Sequence, residues 1–262
     1  MKFSACITTI IATLATSVQC HSWVQSLEVI GPIQNVSRAL KDPTTPQPGL
    51  GYIRAYPARV DALASNTILF PSTAFACMPQ QRTQTQDAAF VRLKASPGDV
   101  VQGNYTENGH VTLPAVGQLS SGTVYWYGTS QPKVDEKLAD VMEWTSDCTG
   151  GDGRGCLLST APFDDGTCVE KFNDPAGRTP EGILRHQQSP DGLPCASTFT
   201  IPKNVKVGSL YTVYWAWDYS EHLGPENPDP KVAKEWYSSC MDIEMVARGS
   251  KRRMVRSAKF RL

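Results

Sequence analysis

From Ser22 to Val246 the chain returns repeatedly to short runs rich in β-branched and aromatic residues, each closed by Gly, Pro, Asn or Asp. Thr123-Val124-Tyr125-Trp126-Tyr127-Gly128 and the stretch Leu210 to Trp217 are the densest. Residues of this kind suit a pleated, half-buried surface, and runs of this length bounded by turn formers read as strands. Further strands are expected at Ser22 to Ile30, at Phe90 to Leu93 and Asp99 to Tyr105 on either side of the turn Ser96-Pro97-Gly98, and at Thr198 to Ile201. Between Trp236 and Val246, Met241, Ile243 and Met245 alternate with Asp242 and Glu244, the period of a strand. Val134 to Trp144 has apolar residues at 134, 138, 141 and 142, which fits a short helix, with a strand as the alternative. Thr145 to Pro194 reads as mostly loop. Six to eight short strands, long loops and no long helical periodicity predict an all-β, two-sheet antiparallel sandwich.

The first twenty residues stand apart. Lys2, the apolar run Ile7 to Leu14 and the site Val18-Gln19-Cys20 have the layout of a secretory signal. The run is too short and too interrupted by Thr to span a bilayer. Cleavage after Cys20 makes His21 residue one of a 242-residue chain, with one domain expected at 21–247 and a basic, disordered tail at 248–262. Seven of the 25 basic residues fall in that tail, and one more is Lys2 in the leader. The remaining 17 face 25 acids, so the body carries a formal charge of −8. An acidic body argues against nucleic acid as partner. No membrane partner is expected, and the chain is expected to be a monomer, secreted and extracellular.

Cys6 and Cys20 leave with the leader, and the six that remain suggest three disulfides among 15 connectivities. Cys148 and Cys156 flank a glycine-rich loop and are expected to bridge locally; Cys168–Cys195 and Cys77–Cys240 are the expectation for the rest. Sequons at Asn35 and Asn104 agree with a eukaryotic secretory route and mark two candidate glycan sites. Residues 31–72, rich in Pro, Gly and Asn, read as a long surface loop region. Within it Tyr52 and Tyr56 either present a flat face to sugar rings or pack onto their own loop.

A terminal histidine has a property that no internal one has: its free amine and its imidazole can chelate one metal ion together. The α-amine has a reference pKa of roughly 7.7–8.0, low enough for copper to displace its proton near neutrality. Imidazole suits Cu, Zn, Fe and Ni, and a planar set of nitrogen donors with open positions favours Cu(II). His110, in the polar stretch Glu107-Asn108-Gly109-His110-Val111 just after a strand, is the candidate for the third nitrogen. His186 and His222 read as loop histidines.

Three features together resemble the lytic polysaccharide monooxygenases. They are the terminal His21, Asn108-Gly109-His110, and the closing segment Glu235-Trp236-Tyr237-Ser238-Ser239-Cys240. In fungal cellulose-active members that last segment runs Gln-x-Tyr, two residues, then Cys; here Glu235 stands in the glutamine position, a departure. Tyr214-Trp215-Ala216-Trp217-Asp218 is similar to the penultimate strand of the bacterial branch. The stretch from His21 to about Val246 is also similar to a fungal secreted group beginning His-Ser-Trp-Val, which shares residues 107–114 and 127–132.

The resemblance implies an immunoglobulin- or fibronectin-III-like antiparallel sandwich holding one copper in a histidine brace. His21 and His110 would be metal ligands, Tyr237 the axial residue, and Glu235 a hydrogen-bonding partner of the oxygen co-substrate. It implies oxidative cleavage of glycosidic bonds in a polysaccharide by C1 and/or C4 hydroxylation, with an external electron donor and O2 or H2O2. The rival readings are a non-catalytic secreted copper-binding protein with the same brace, and a metal-free carbohydrate-binding or structural sandwich.

Overall fold

The runs of β-branched and aromatic residues assemble into two facing sheets in a computed structural model that describes residues 22–31, 45–56, 67–68, 73–107, 110–117, 119–169, 179–220 and 235–249. The leader, His21, Asn35, His222 and the tail from residue 250 lie outside the described residues. The smaller sheet is antiparallel, with β4 (Val100–Tyr105) between β1 (Val24–Ile30) and β7 (Cys195–Thr200). The larger runs in the order β2 (Thr67–Ile68), β9 (Trp236–Met245), β8 (Leu210–Asp218), β5 (Thr123–Thr129), β6 (Gly155–Pro162). A short β3 (Leu93–Ala95) pairs in parallel with the far end of β9. The turn Ser96-Pro97-Gly98 therefore carries the chain from one sheet to the other. Gly98 takes φ +81° there, a conformation that costs glycine least.

Period-2 alternation sends Val124 and Trp126 of β5, Trp215 and Trp217 of β8, and Tyr237 and Met241 of β9 into the space between the sheets. They meet Leu27, Val101, Tyr105 and Phe199 from the smaller sheet. Trp126 lies against Phe199 with ring centroids 4.8 Å apart and donates Nε1–H to Ser197 Oγ at 2.8 Å. Gly103 gives that indole its room, since a Cβ there would sit 2.3 Å from Trp126.

The outer face of the larger sheet is covered as well. A second cluster joins Tyr127, Tyr214 and Trp236 to Leu138, Val141 and Trp144 around the short helix α1 (Leu138–Met142). This cover is why Asp242, on the outward register of β9, is 0 % exposed. Its carboxylate is closed by Arg54 at 2.6 and 2.8 Å, and Arg54 also donates to Gln81 O and Thr212 Oγ1. Cys77–Cys240 ties the same layer to β9, and Cys148–Cys156 and Cys168–Cys195 complete the three expected disulfides.

The structure corrects three expectations. Residues 50–56 are not a surface loop: Gly51 bridges Leu27, and Tyr52 and Tyr56 are buried in edge-to-face contact at 4.8 Å, with Phe90 stacked on Tyr56. Their rings fill the core and offer no face to a sugar. The stretch 145–194 holds β6, an edge strand, and α2 (Pro180–Gln188), capped by Thr179 Oγ1 accepting from Gly182 N at 3.0 Å. The strand expected at Phe90 to Leu93 forms three residues later. Asn104 lies on the central strand β4, only 6 % exposed, its Nδ2 donating to Ser26 Oγ and its Oδ1 accepting from Gln102 Nε2. Among the described residues, no helix is long and apolar enough to cross a membrane.

Candidate metal centre

His110 leaves the end of β4 by a tight turn. Its backbone N–H donates to Glu107 O at 2.8 Å, and the same carbonyl lies 3.2 Å from Nδ1. That contact assigns the proton to Nδ1 and leaves the lone pair on Nε2, the tautomer a metal needs. Orientation of a ligand imidazole by a backbone carbonyl is the usual outer support of a metal-binding histidine. The residue is 3 % exposed.

Three aromatic rings form the wall behind the imidazole. Phe163 stacks on Trp217 at 3.9 Å, and Trp217 stacks on Tyr237 at 4.8 Å. His110 meets Trp217 edge-on at 4.8 Å, Tyr219 at 4.4 Å and Tyr237 at 6.0 Å. These rings arrive on the strand ends that the alternating pattern dictates: Trp217 at the end of β8, Tyr219 just beyond, Tyr237 at the start of β9. Trp217 Nε1–H donates to Ser121 O at 2.8 Å, which fixes the middle ring. Such ring pairs are each worth about 0.5–1.5 kcal/mol beyond the area they bury.

The turn is braced on both sides. Ahead of it, Ser22 Oγ–H donates to Thr106 O at 2.6 Å, and Val24 N–H donates to Ser239 Oγ at 3.2 Å. The start of β1 is thereby fastened between the His110 turn and β9. After it, Thr112 N–H donates to Asp164 Oδ2 at 2.8 Å, and Arg185 of α2 holds both oxygens of that carboxylate at 2.8 Å. The helix absent from the sequence reading thus supports the site from outside.

Of the four residues expected at the centre, the structure brings His110, Tyr237 and Glu235 together; His21 lies outside the described residues. Tyr237 donates its phenol hydrogen to Glu235 Oε1, and Glu235 O accepts the Tyr219 N–H at 2.9 Å. His186 sits in the last turn of α2, apart from this group. The sequence reading gives no site role to Glu107, Tyr219 or Trp217. For Glu107 the available signal was its place three residues before His110.

One other group of metal-type side chains occurs among the described residues: Asp164, Asp165 and Cys168, with ligand atoms within 4.8 Å. Its chemistry is already taken. Cys168 is bonded to Cys195, Asp164 is closed by Arg185, and Asp165 accepts backbone N–H groups from Thr167, Cys168 and Ala196. A buried imidazole with Nε2 as acceptor, beside a phenol, instead fits a nitrogen-donor metal site of the kind that suits Cu, Zn, Fe or Ni.

The fold and this cluster define a disulfide-bonded β-sandwich with a buried histidine site at one end of the larger sheet. The chain belongs to the family described as Domain of unknown function (DUF7492), whose model matches residues 18–261. No curated protein matches it in sequence. Among solved structures it is similar to CvAA9A, at 16% identity and TM-score 0.45, over 87% of this chain and 80% of that one. A cellulose-active polysaccharide monooxygenase from M. thermophila matches at 16% identity and TM-score 0.37, over 88% of this chain and 80% of that one. The cellulose-active LPMO CelS2 (ScLPMO10C), in complex with copper, matches at 12% identity and TM-score 0.39, over 75% and 86%. At such scores these likenesses carry no weight for the chemistry, which rests on the residues themselves.

Proposed function

We propose that the chain is a secreted, copper-dependent oxidoreductase that cleaves glycosidic bonds in a polysaccharide by hydroxylation at C1 and/or C4. The reading takes 1–20 as a removed leader, 21–247 as the copper domain and 248–262 as a basic tail. The observation that carries it is the buried His110, aligned by Glu107 O and backed by Tyr237, at the end of the sandwich where Ser22 is tied to Thr106. The amine and Nδ1 of His21, next in sequence to Ser22, would hold the metal together with Nε2 of His110, with Tyr237 as the neighbouring phenol. Copper held there would supply one-electron chemistry which, with an external electron donor and O2 or H2O2 as co-substrate, would hydroxylate a sugar carbon and so break the glycosidic bond.

The chain's own residues set the conditions for that chemistry. Trp217, Phe163 and Tyr237 exclude water behind the imidazole and hold it in one orientation. Glu235 keeps the Tyr237 phenol in place through Oε1, and its carboxylate remains the proposed hydrogen-bonding partner of the oxygen co-substrate. Three disulfides agree with an oxidising compartment.

A non-catalytic copper carrier with the same ligands is the second reading, favoured by the burial of Tyr52 and Tyr56, which removes one expected sugar-stacking face. Copper-loaded protein incubated with a reductant and a panel of polysaccharides separates the two. Oxidised oligosaccharides are expected; tight copper binding without products supports the carrier. His110→Ala is expected to stay folded and lose tight copper binding, and retained affinity in that variant sinks the ligand assignment.

A further inference from the structure

Strands β5 and β8 end in two different places. At one end Thr123 pairs with Asp218, next to the His110 cluster; at the other Thr129 pairs with Thr212. Six residues of extended chain set those ends about 20 Å apart. At the far end a cleft of about 200 Å³ opens between residues 128–131, residues 153–156 and the loop 202–205. Tyr211 lines this cleft and is 2 % exposed, and its phenol oxygen has no hydrogen-bond partner among the described residues. That oxygen lies over Gly128, which also lines the cleft; a Cβ there would sit 2.5 Å from it. A buried hydroxyl left unpaired costs the fold what a phenylalanine would not. Its place calls for a partner from outside the chain.

The remaining groups narrow what that partner is. Ser130, Gln131 and Asn204 bring a hydroxyl and two amides to the cleft, and Pro202 and Val205 bring apolar surface. Arg154 is the ionic side chain among the lining residues, and its charge is answered within the protein. Glu136 accepts from it at 2.7 and 2.9 Å, and Asp152 at 2.6 Å. An anion therefore finds no uncommitted charge, and a wholly apolar ligand would strand the amides. A pyranose meets both conditions, with hydroxyls around its rim and C–H groups on its faces. The volume lies below the range that holds larger organic ligands, roughly 300–1,000 Å³.

We propose that this cleft binds one neutral sugar ring, held through the Tyr211 hydroxyl, at the end of the sandwich opposite the His110 cluster. A sugar hydroxyl supplies the partner that the phenol lacks, and Gly128 keeps the approach to it open. The site needs no metal, so it stands or falls apart from the copper reading.

Saturation-transfer NMR on the full secreted chain tests it, with D-glucose, D-xylose and N-acetylglucosamine as probes and D-glucuronate as the anionic control. Saturable binding of at least one neutral sugar is expected, with glucuronate weaker. Tyr211→Phe keeps the ring and is expected to weaken that binding about tenfold, with a Tm no lower than the parent's. Asn204→Trp, at an exposed position on the rim, is expected to block the cleft without touching the core. His110→Ala is expected to bind the sugar as the parent does. No saturable binding, tighter binding of glucuronate, or unchanged sugar affinity in Tyr211→Phe or in Asn204→Trp overturns the site and leaves the copper reading standing. A fall in Tm in Tyr211→Phe assigns the hydroxyl to the fold and overturns it as well. Loss of sugar binding in His110→Ala moves the sugar to the other end of the sandwich and likewise overturns it.

Discussion

Tyr237 gives its phenol hydrogen to the carboxylate of Glu235, two residues earlier in the chain, while the carbonyl of that same glutamate holds the backbone of Tyr219. One residue thus fixes both tyrosines that flank the His110 imidazole. A phenol bonded to an ionised acceptor is a strong, geometrically demanding contact.

Removing that hydrogen bond is therefore costly in a predictable way. Tyr237→Phe is expected to lower the unfolding free energy by about 1.5–3 kcal/mol, the range for hydrogen bonds to charged groups. Glu235→Gln, which retains an acceptor oxygen, should lose less. Urea unfolding of the two variants beside the parent measures the difference, and equal losses would show that the carboxylate charge is immaterial.

The Arg54–Asp242 pair makes a sharper case, because both side chains are essentially inaccessible at 1 % and 0 %. Asp242→Asn leaves the guanidinium buried without its counter-ion. A loss of about 3–5 kcal/mol is expected. The double replacement Arg54→Met with Asp242→Leu should cost clearly less than Asp242→Asn alone, since no charge is then stranded. Chemical denaturation of both variants decides it.

Burial pushes the phenols of Tyr127, Tyr211 and Tyr214 above the usual tyrosine range, reinforced at Tyr127 by its neighbour Tyr125. The unfolded chain releases these protons near pH 10 while the folded chain keeps them, so above that pH the unfolded state binds fewer protons and stability falls as pH rises. Below pH 10 the contribution is complete. Phenolate absorbance from these three is expected to appear only together with loss of circular dichroism. A single gradual titration with the fold intact would contradict their burial.

The sequon at Asn104 is expected to carry no glycan in the folded, secreted protein. Its Nδ2, the atom that would be glycosylated, is spent on Ser26, and the residue is 6 % exposed on a central strand. Peptide mapping by mass spectrometry checks this directly. Asn104→Gln should weaken the fold despite removing only a sequon.

Much of the architecture was legible because paired strands in a sandwich announce themselves by composition. β5, β8 and β9 are dense in aromatic and β-branched residues, and they appear where those residues stand. β6 was hidden because an edge strand buries little: most of its residues are half-buried, and Gly and Asp surround it. α2 was missed for a different reason, since Gly182 and five polar residues mask a helix whose Thr179 cap and Pro180 start are conventional signals. Tyr52 and Tyr56 sit in a loop-like sequence yet are buried, because Arg54 between them reaches across to Asp242 and draws the segment inward. At the site, His110 stood out by its place in a polar stretch just after a strand and Tyr237 through the family resemblance, whereas Tyr219 acts through a contact with the distant Glu235 that no local pattern records.

Strand β9 carries Tyr237, Cys240 and Asp242 within six residues: a phenol at the centre, a covalent staple to Cys77 and a buried ion pair to Arg54. It is also paired along its length with β8, and at its two ends with β2 and β3. The wall behind the imidazole is thus mounted on the part of the chain least free to breathe. Warming the protein should leave that wall rigid until the whole sandwich gives way, so local softening offers no route to a looser, half-formed centre.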